Sequence, residues 1–595
     1  MIKTLATLIL FLSACLNFTQ AQTSTKLDLE TFMRLRKGDV KPGHQHLLVK
    51  GDLVRIKQLA KLYGGYYKYG YNNIASVEIP DARLMAFSQE AAVEQIENPN
   101  TRGHLLMDTA RIRNNIDPVH NGVSPLVNGL KGRGVIVGII DGGIYWAHED
   151  FRDAQGNTRI RYIWDETFVN GTVKPQPYNY GNEWNWQDIN NGNCTHIEPA
   201  GDASHGTCVA GVAAGNGLSL LGDSLSGDSM PEKRYVGVAP ESEIIFVRVD
   251  INAPNFSARM ADAVDYIFKK ADAMGRPCVI NTSLGLYSGA HDGKDLATQM
   301  MEALLEERNG RALVAAAGNA GNVDFHVGYN LSPDSAYTMF AYNYAKTGVY
   351  FDFWADTTSF KNAQFAIGCN DENGTNLGRT SYYNVVDSFN PAPNSSIQIT
   401  RPVGDFNQLY GNVTIQVGLS EGRYHVEVYV NAAPPLSNLW RLQTRGSGKL
   451  DLWSHPTLTG TSQIVKQLNG VDILFQNYRH ADRIKTTTGA WQCSDKVITV
   501  GNYSSRGNYL DVDSQVVDLV NAFPVGEVVG ERYVTSSTGP TRDNRLKPDL
   551  VATGHTIIAT GNLTDIDYRL NNGERFVVGY GGKHRRIGGT SVASA

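Results

Sequence analysis

Apolar positions change their period along this chain, and each period predicts a different kind of element. Gly134-Val-Ile-Val-Gly-Ile-Ile140 is a near-continuous β-branched run, the signature of a strand buried on both faces. Further strands are expected near 244–249, 278–284 and 312–317, with helices over 205–216, 258–274 and 294–308. In the second helix Ala261, Val264, Ile267, Phe268 and Ala271 share one face. Strands alternating with helices predict an α/β fold with a parallel sheet covered on both sides.

Two flanking patterns differ. In 22–105, His46–Val49 reads as a strand, and Leu53, Ile56, Leu59, Ala60 and Tyr63 recur at helical spacing up to Gly64 and Gly65. A strand over Asn73–Ile79, a helix over 83–92 and a strand over Val93–Ile96 complete a split βαβ unit, an α+β domain. The stretch with Tyr66, Tyr67, Tyr69 and Tyr71 fits strand packing better than a binding box. In 346–485 the period falls to two, over Val349–Trp354, Asn412–Val417, Tyr424–Val430 and Leu439–Gln443. Val426, Val428 and Val430 face one way and Glu427 and Tyr429 the other. This predicts an inserted β-sandwich or jelly roll. Residues 486–595 return to the α/β style, with strands at Val497–Val500, Lys547–Ala552 and Thr556–Ala559.

The first 21 residues read as an export signal. Lys3 precedes the apolar run Leu5–Leu12, and Thr19-Gln20-Ala21 offers a small-x-small cleavage site. Leu12-Ser13-Ala14-Cys15 also resembles a lipobox, so secretion and lipid anchoring at the cell surface both stay open. The domains then run 22–105, 106–345, 346–485 and 486–595 in a chain of 595 residues. With 54 basic and 59 acidic residues the net charge is −5, which speaks against a nucleic-acid face. No apolar run reaches the ~18 residues of a spanning helix. Beyond Cys15, the five cysteines 194, 208, 278, 369 and 493 leave at least one thiol without an intrachain partner.

Three motifs carry candidate chemistry. Ile139-Ile-Asp141-Gly-Gly143 ends a buried strand in a carboxylate, at the sheet edge where open α/β folds build their sites. Ser204-His205-Gly-Thr-Cys-Val-Ala-Gly211 opens a helix of small residues with a His. Gly588-Gly-Thr-Ser591-Val-Ala-Ser594 presents a hydroxyl at a helix start. Each alone is commonplace. Together they supply an orienting carboxylate, a base and a nucleophile, in the chain order of subtilisin-type hydrolases.

On these motifs the chain resembles the subtilisin-like serine proteases, the subtilases. Val314-Ala-Ala-Ala-Gly-Asn319 matches the segment whose Asn donates to the oxyanion, and Cys278-Val-Ile-Asn-Thr-Ser283-Leu-Gly285 the strand that pairs with bound peptide. Ser537-Thr-Gly-Pro540 and Lys547–Ala552 match a run that precedes the Ser motif. The resemblance covers about 106–325 and 490–595. It implies a secreted endopeptidase in which Ser591 attacks, His205 acts as base and then acid, Asp141 orients His205, and Asn319 stabilises the oxyanion. Ser283, Leu284, Gly285, Ala317 and Gly318 would bind substrate, in a pocket open to apolar side chains. Residues 22–105 resemble the family propeptide, which implies a zymogen cleaved within 97–107; partners would be protein or peptide substrates and the propeptide itself. No cofactor is required for the chemistry. Structural Ca²⁺ is common in the family, and Asp150 matches a ligand position in some members. Loops with Asp202, Asp223 and Asp228 are further candidates, against the reading of solvated loops.

The departures also predict something. Gly142 stands where the family has Ser or Thr, Thr553 where Pro is usual and Ala595 where Pro is frequent. Cys208, close to the base, reads as a small core residue or as a thiol that makes the site mercurial-sensitive. The sequence stops four residues after Ser591, which predicts an incomplete helix and a polypeptide that folds poorly or is inactive. The alternative function is a non-catalytic subtilase-like scaffold whose β-insert recognises peptide, glycan or partner.

Overall fold

The computed structural model describes residues 26–27, 34–71, 73–96, 109–200, 204–220, 235–253, 256–404, 408–519 and 528–595. The export signal, Cys15, the cleavage region 97–107 and Asp202, Asp223 and Asp228 lie outside these residues. The chain divides after Leu106 into two units.

In the first unit β1 (His44–Gly51), α1 (Leu53–Leu62), β2 (Tyr66–Tyr71), β3 (Ile74–Pro80), α2 (Asp81–Ser88) and β4 (Val93–Ile96) follow one another. The strands pair antiparallel in the order β2-β3-β1-β4. Asp52 starts α1 by accepting from the N–H groups of Val54 and Arg55, at 2.9 and 3.1 Å. Ile56, Leu59 and Ala60 of α1 and Leu84 and Phe87 of α2 are buried with Val49, Val77 and Ile79 of the sheet. The tyrosine-rich stretch is strand β2.

The second unit is centred on a parallel sheet. It opens with β5 (Ile136–Asp141), β6 (Ile160–Asp165), β7 (Asn182–Asn185), α3 (His205–Ala214), β8 (Glu243–Arg248), α4 (Phe256–Ala273), β9 (Cys278–Thr282), α5 (Leu296–Glu306) and β10 (Arg311–Ala316). There follows a run of antiparallel strands: β11 (His326–Asn330), β12 (Ala336–Phe340), β13 (Val349–Asp356), β14 (Gln364–Asn370), β15 (Asn376–Arg379), β16 (Ser395–Gly404), β17 (Leu409–Ser420), β18 (Arg423–Ala432), β19 (Leu439–Arg445) and β20 (Lys449–Trp453). The chain then re-enters the first sheet through β21 (Ile498–Ser504) and β22 (Leu550–His555), and ends in α6 (Thr590–Ser594). The large sheet has the order β22-β21-β10-β9-β5-β8-β6-β7, parallel except for β7.

Strand β5 shows why both faces must be covered. All six of its residues are buried. Ile136 and Ile140 pack with Val264, Ile267 and Phe268 of α4, while Val137 and Ile139 pack with Cys208 and Val209 of α3. Alternate side chains feed opposite cores, each buried Ile contributing about 2–3 kcal/mol. Gly138 sits on the α4 face, where a side-chain carbon would come within 2.6 Å of Ile267 Cγ2. The glycine is what lets α4 lie so close to the sheet.

The antiparallel strands form two facing sheets, β11-β20-β13-β18-β17-β16 and β12-β19-β14-β15. Val349, Phe351 and Phe353 of β13, with Val426, Val428 and Val430 of β18, meet Phe365, Ile367 and Leu442 between them. Outward, Glu427 accepts from Tyr350 and Gln416. These sheets take in β11 and β12, which precede residue 346. Those short strands read weakly in sequence because their inner face is defined only by pairing with β20 and β19. The substitution Gly138→Ala is expected to cost about 1–3 kcal/mol through overpacking against Ile267, read as a lowered urea midpoint.

Candidate functional site

The parallel register brings three strand ends to one edge. Ile140 of β5 is level with Thr282 of β9, and Thr282 with Ala315 of β10. Asp141, Ser283 and Ala317–Asn319 therefore emerge side by side. His205 is the first residue of α3. Its Nδ1–H donates to Asp141 Oδ1 at 2.8 Å, and the Gly142 N–H donates to the same oxygen at 2.7 Å. The Asp141 side chain is 1% exposed and that of His205 32%, so the carboxylate is sealed while the imidazole reaches solvent. Asp141 Oδ2 is buried and receives no hydrogen bond from the described residues, and Gly142 offers no hydroxyl.

A segment that sequence reasoning passed over, Cys194–Glu198, holds this pair in place. His196 Nδ1–H donates to Asp165 Oδ2 at 2.8 Å and its Nε2 accepts from the Ile144 N–H at 3.1 Å. That fixes the tautomer and the loop after Asp141. Glu198 accepts from the Thr207 N–H at 3.0 Å, from the Thr207 hydroxyl at 2.5 Å and from Asn562 Nδ2 at 3.0 Å. Thr207 Oγ1 accepts in turn from the Tyr145 N–H at 2.7 Å. The Asp141 loop and the start of the His205 helix are thus tied through the Thr207 hydroxyl, which the buried Glu198 carboxyl anchors. Burial pushes the Glu198 pKa up to about 7, against the hydrogen bonds from Thr207 and Asn562. Only the Thr207 position had a sequence signal, since it lies inside the His motif.

Ser591 is buried near the start of α6. Its hydroxyl donates to Ser283 O at 3.3 Å, and Ser283 Oγ donates to Ser591 O at 2.8 Å. Val592 joins the core that holds Cys208 and Val209 of α3, so α6 and the His205 helix share one packing surface. Asn319 Oδ1 accepts from the N–H and the hydroxyl of Thr590, at 2.9 and 3.1 Å. Gly589 has φ +134°, and a side-chain carbon there would lie 3.2 Å from Asn319 Nδ2. Ser283, Leu284, Gly285, Ala317, Gly318, Asn319 and Ser591 line one cleft of about 80 Å³. Tyr287 and Gln492 line it too, and no motif singled them out.

Asp150 is fully buried and engaged by the protein. Its oxygens accept from the Ser219 N–H at 3.1 Å, the Thr560 hydroxyl at 2.8 Å and His584 Nε2 at 2.9 Å. Burial opposes its charge, but His584, His148 and the Ser219 N–H outweigh it and hold the carboxyl far below the usual range. A carboxylate engaged by three N–H and O–H donors, with two histidines around it, is a poor match for a Ca²⁺ ligand, whose ion takes six to eight oxygens. The five described cysteines are all free and buried. Burial drives the Cys208 thiol up to about 12, as expected of a core residue.

Residues 132–387 match the family model described as the subtilase family. The chain carries a subtilase-family domain. It is similar to the PII-type proteinase of Lacticaseibacillus paracasei, 32% identical over 201 residues. It is likewise similar to the PII-type proteinase of Lactococcus lactis subsp. cremoris, 31% identical over 201 residues. Each match takes in 32% of this chain but 9% of the relative's length. Among solved structures the CspB protease of Clostridium perfringens is similar in fold, with a TM-score of 0.52 and 21% identity over 78% of this chain and 82% of that one. The Asp141 and His205 motifs lie inside the subtilase match, and Ser591 beyond it.

Glu198 generates a pH prediction. An unfolded Glu titrates near 4.5, whereas the buried Glu198 holds its proton up to about pH 7. The stability this proton confers is full below the unfolded value and is lost as pH rises through the folded one. Between pH 5 and 8 the unfolding free energy of the wild type should therefore fall by ~2–3 kcal/mol more than that of Glu198→Gln, measured by urea titration at both pH values.

Proposed function

We propose that the protein is a secreted serine endopeptidase made as a zymogen. The observation that carries this reading is the 2.8 Å bond from His205 to a sealed Asp141, on the sheet edge that also bears Ser283 and Asn319. A Ser hydroxyl is a poor nucleophile until a base takes its proton. Ser591 gives up its bond to Ser283 O as the proton passes to His205 Nε2, and Asp141 stabilises the imidazolium that forms. His205 then returns the proton to the leaving amine, and water repeats the cycle on the acyl-enzyme.

Charge developing on the carbonyl oxygen needs fixed donors. Both acceptor interactions of Asn319 Oδ1 are taken by Thr590, which leaves Nδ2 to donate, together with the Ser591 N–H. Substrate lies along Ser283-Leu284-Gly285 as an added strand, held by backbone hydrogen bonds. The antiparallel fold of residues 44–96 supports the propeptide reading of the first unit. No helix among the described residues is long and apolar enough to cross a membrane. No contact favours the inactive-scaffold alternative.

A fluorophosphonate probe should label the wild type on Ser591 and leave Ser591→Ala unlabelled. Asn319→Ala should keep the fold and lower kcat by about 10²–10³ on a peptide substrate. An unlabelled, folded wild type with its first unit removed would overturn the reading.

A further inference from the structure

The cleft beside Ser591 is small and its wall is unusual. About 80 Å³ is roughly half of the ~150 Å³ of an engineered cavity that takes up benzene. Two side chains account for this. The Tyr287 hydroxyl accepts from the Asn319 N–H at 2.6 Å and stands 2.6 Å from where a Gly318 side chain would begin, so the ring blocks that side. The Gln492 amide lies across the other: a side-chain carbon on Gly285 would meet its Nε2 at 2.4 Å.

Gln492 is 3% exposed, and its two amide atoms have different fates. Nε2 donates to Leu284 O at 2.9 Å, which settles the orientation of the amide. Oε1 is buried and receives no hydrogen bond from the described residues. Leaving such an acceptor unmade is costly, and a group that reaches it with a donor is rewarded. Among the described residues no charged one lines the cleft.

We infer that Gln492, with Tyr287, makes this cleft select substrates with a small hydroxyl side chain, Ser or Thr, on the acyl side of the cleaved bond. The inference rests on the proteolytic reading above and differs from the expectation of a pocket open to apolar side chains. The hydroxyl donates to Gln492 Oε1 while Tyr287 shuts out aromatic and long aliphatic groups. A site built to hydrogen-bond a substrate group discriminates against the analogue that lacks it. Thr and Val, nearly equal in shape, therefore separate the hydrogen bond from mere size.

The test is a set of peptides identical except at that residue, cleaved by the purified protein and compared by kcat/KM. Thr and Ser are expected to lead, Val to fall about tenfold below Thr, and Leu, Phe and Arg at least about a hundredfold below. In Gln492→Met, which keeps the bulk and removes the acceptor, the Thr-to-Val ratio should drop to near one. A general loss of fold or activity would lower both substrates and leave that ratio unchanged. Equal cleavage after Thr and Val, or better cleavage after Leu, Phe or Arg, in the wild type would overturn the inference and leave the protease reading intact. Absence of cleavage anywhere, with Ser591 unlabelled by fluorophosphonate, would overturn both.

Discussion

A buried carboxylate has to be paired, and Asp141 is paired through the first residue of a helix. That bond is possible only because the helix can be pressed onto the strand end. A side-chain carbon on Gly206 would come within 2.0 Å of Gly143 O, and one on Gly211 within 2.4 Å of Thr560 Oγ1. The small residues after His205 thus have a positional purpose. They let α3 approach until Nδ1 and Oδ1 are 2.8 Å apart, while Glu198 and Thr207 lock the approach from the other side. The imidazole stays partly exposed above a carboxylate that is packed shut.

The opposite half of the site depends on the segment that leaves β10. Asn319 is held twice: its side-chain oxygen by Thr590, and its N–H by the Tyr287 hydroxyl. Tyr287 is itself anchored, since His291 Nε2 lies 3.0 Å from Tyr287 O and the His291 ring stacks on Trp453 at 4.0 Å. Trp453 ends β20, so the two-sheet sandwich is wired through His291 and Tyr287 into Asn319. Asp292, next in sequence, binds Arg423 of the sandwich and Arg542 of the segment before β22. A buried carboxylate shared by two guanidinium groups fixes the orientation of the insert relative to the parallel sheet.

The Asp150 cluster shows how a resemblance in sequence can change meaning in space. The position matches a calcium ligand in some subtilases, yet here Thr560, Ser219 and His584 supply the donors that a cation would otherwise replace. His584 comes from the strand just before the Gly588–Ser591 turn. The carboxylate thereby joins the loop after β5 to the segment that delivers Ser591, by hydrogen bonds between residues more than 400 positions apart.

Much of the fold was legible in the chain itself. The β-branched run ending at Asp141, the one-sided helix 256–273 and the period-two stretch around Val426–Val430 each state their element, because burial on two faces, one stripe or one side leaves distinct periods. The Asp, His and Ser motifs were legible for a related reason: small residues and glycines must surround groups that approach so closely. Glu198, Tyr287 and Gln492 carried no such mark. A Glu, a Tyr and a Gln in such segments have many uses, and only the tertiary fold brings them against Thr207, Asn319 and the cleft. Sequence by itself marked Asp141, His205 and Ser591 as candidates. The tertiary structure alone decided which groups hold them and which line the cleft beside Ser591, because those contacts join segments with no local pattern in common.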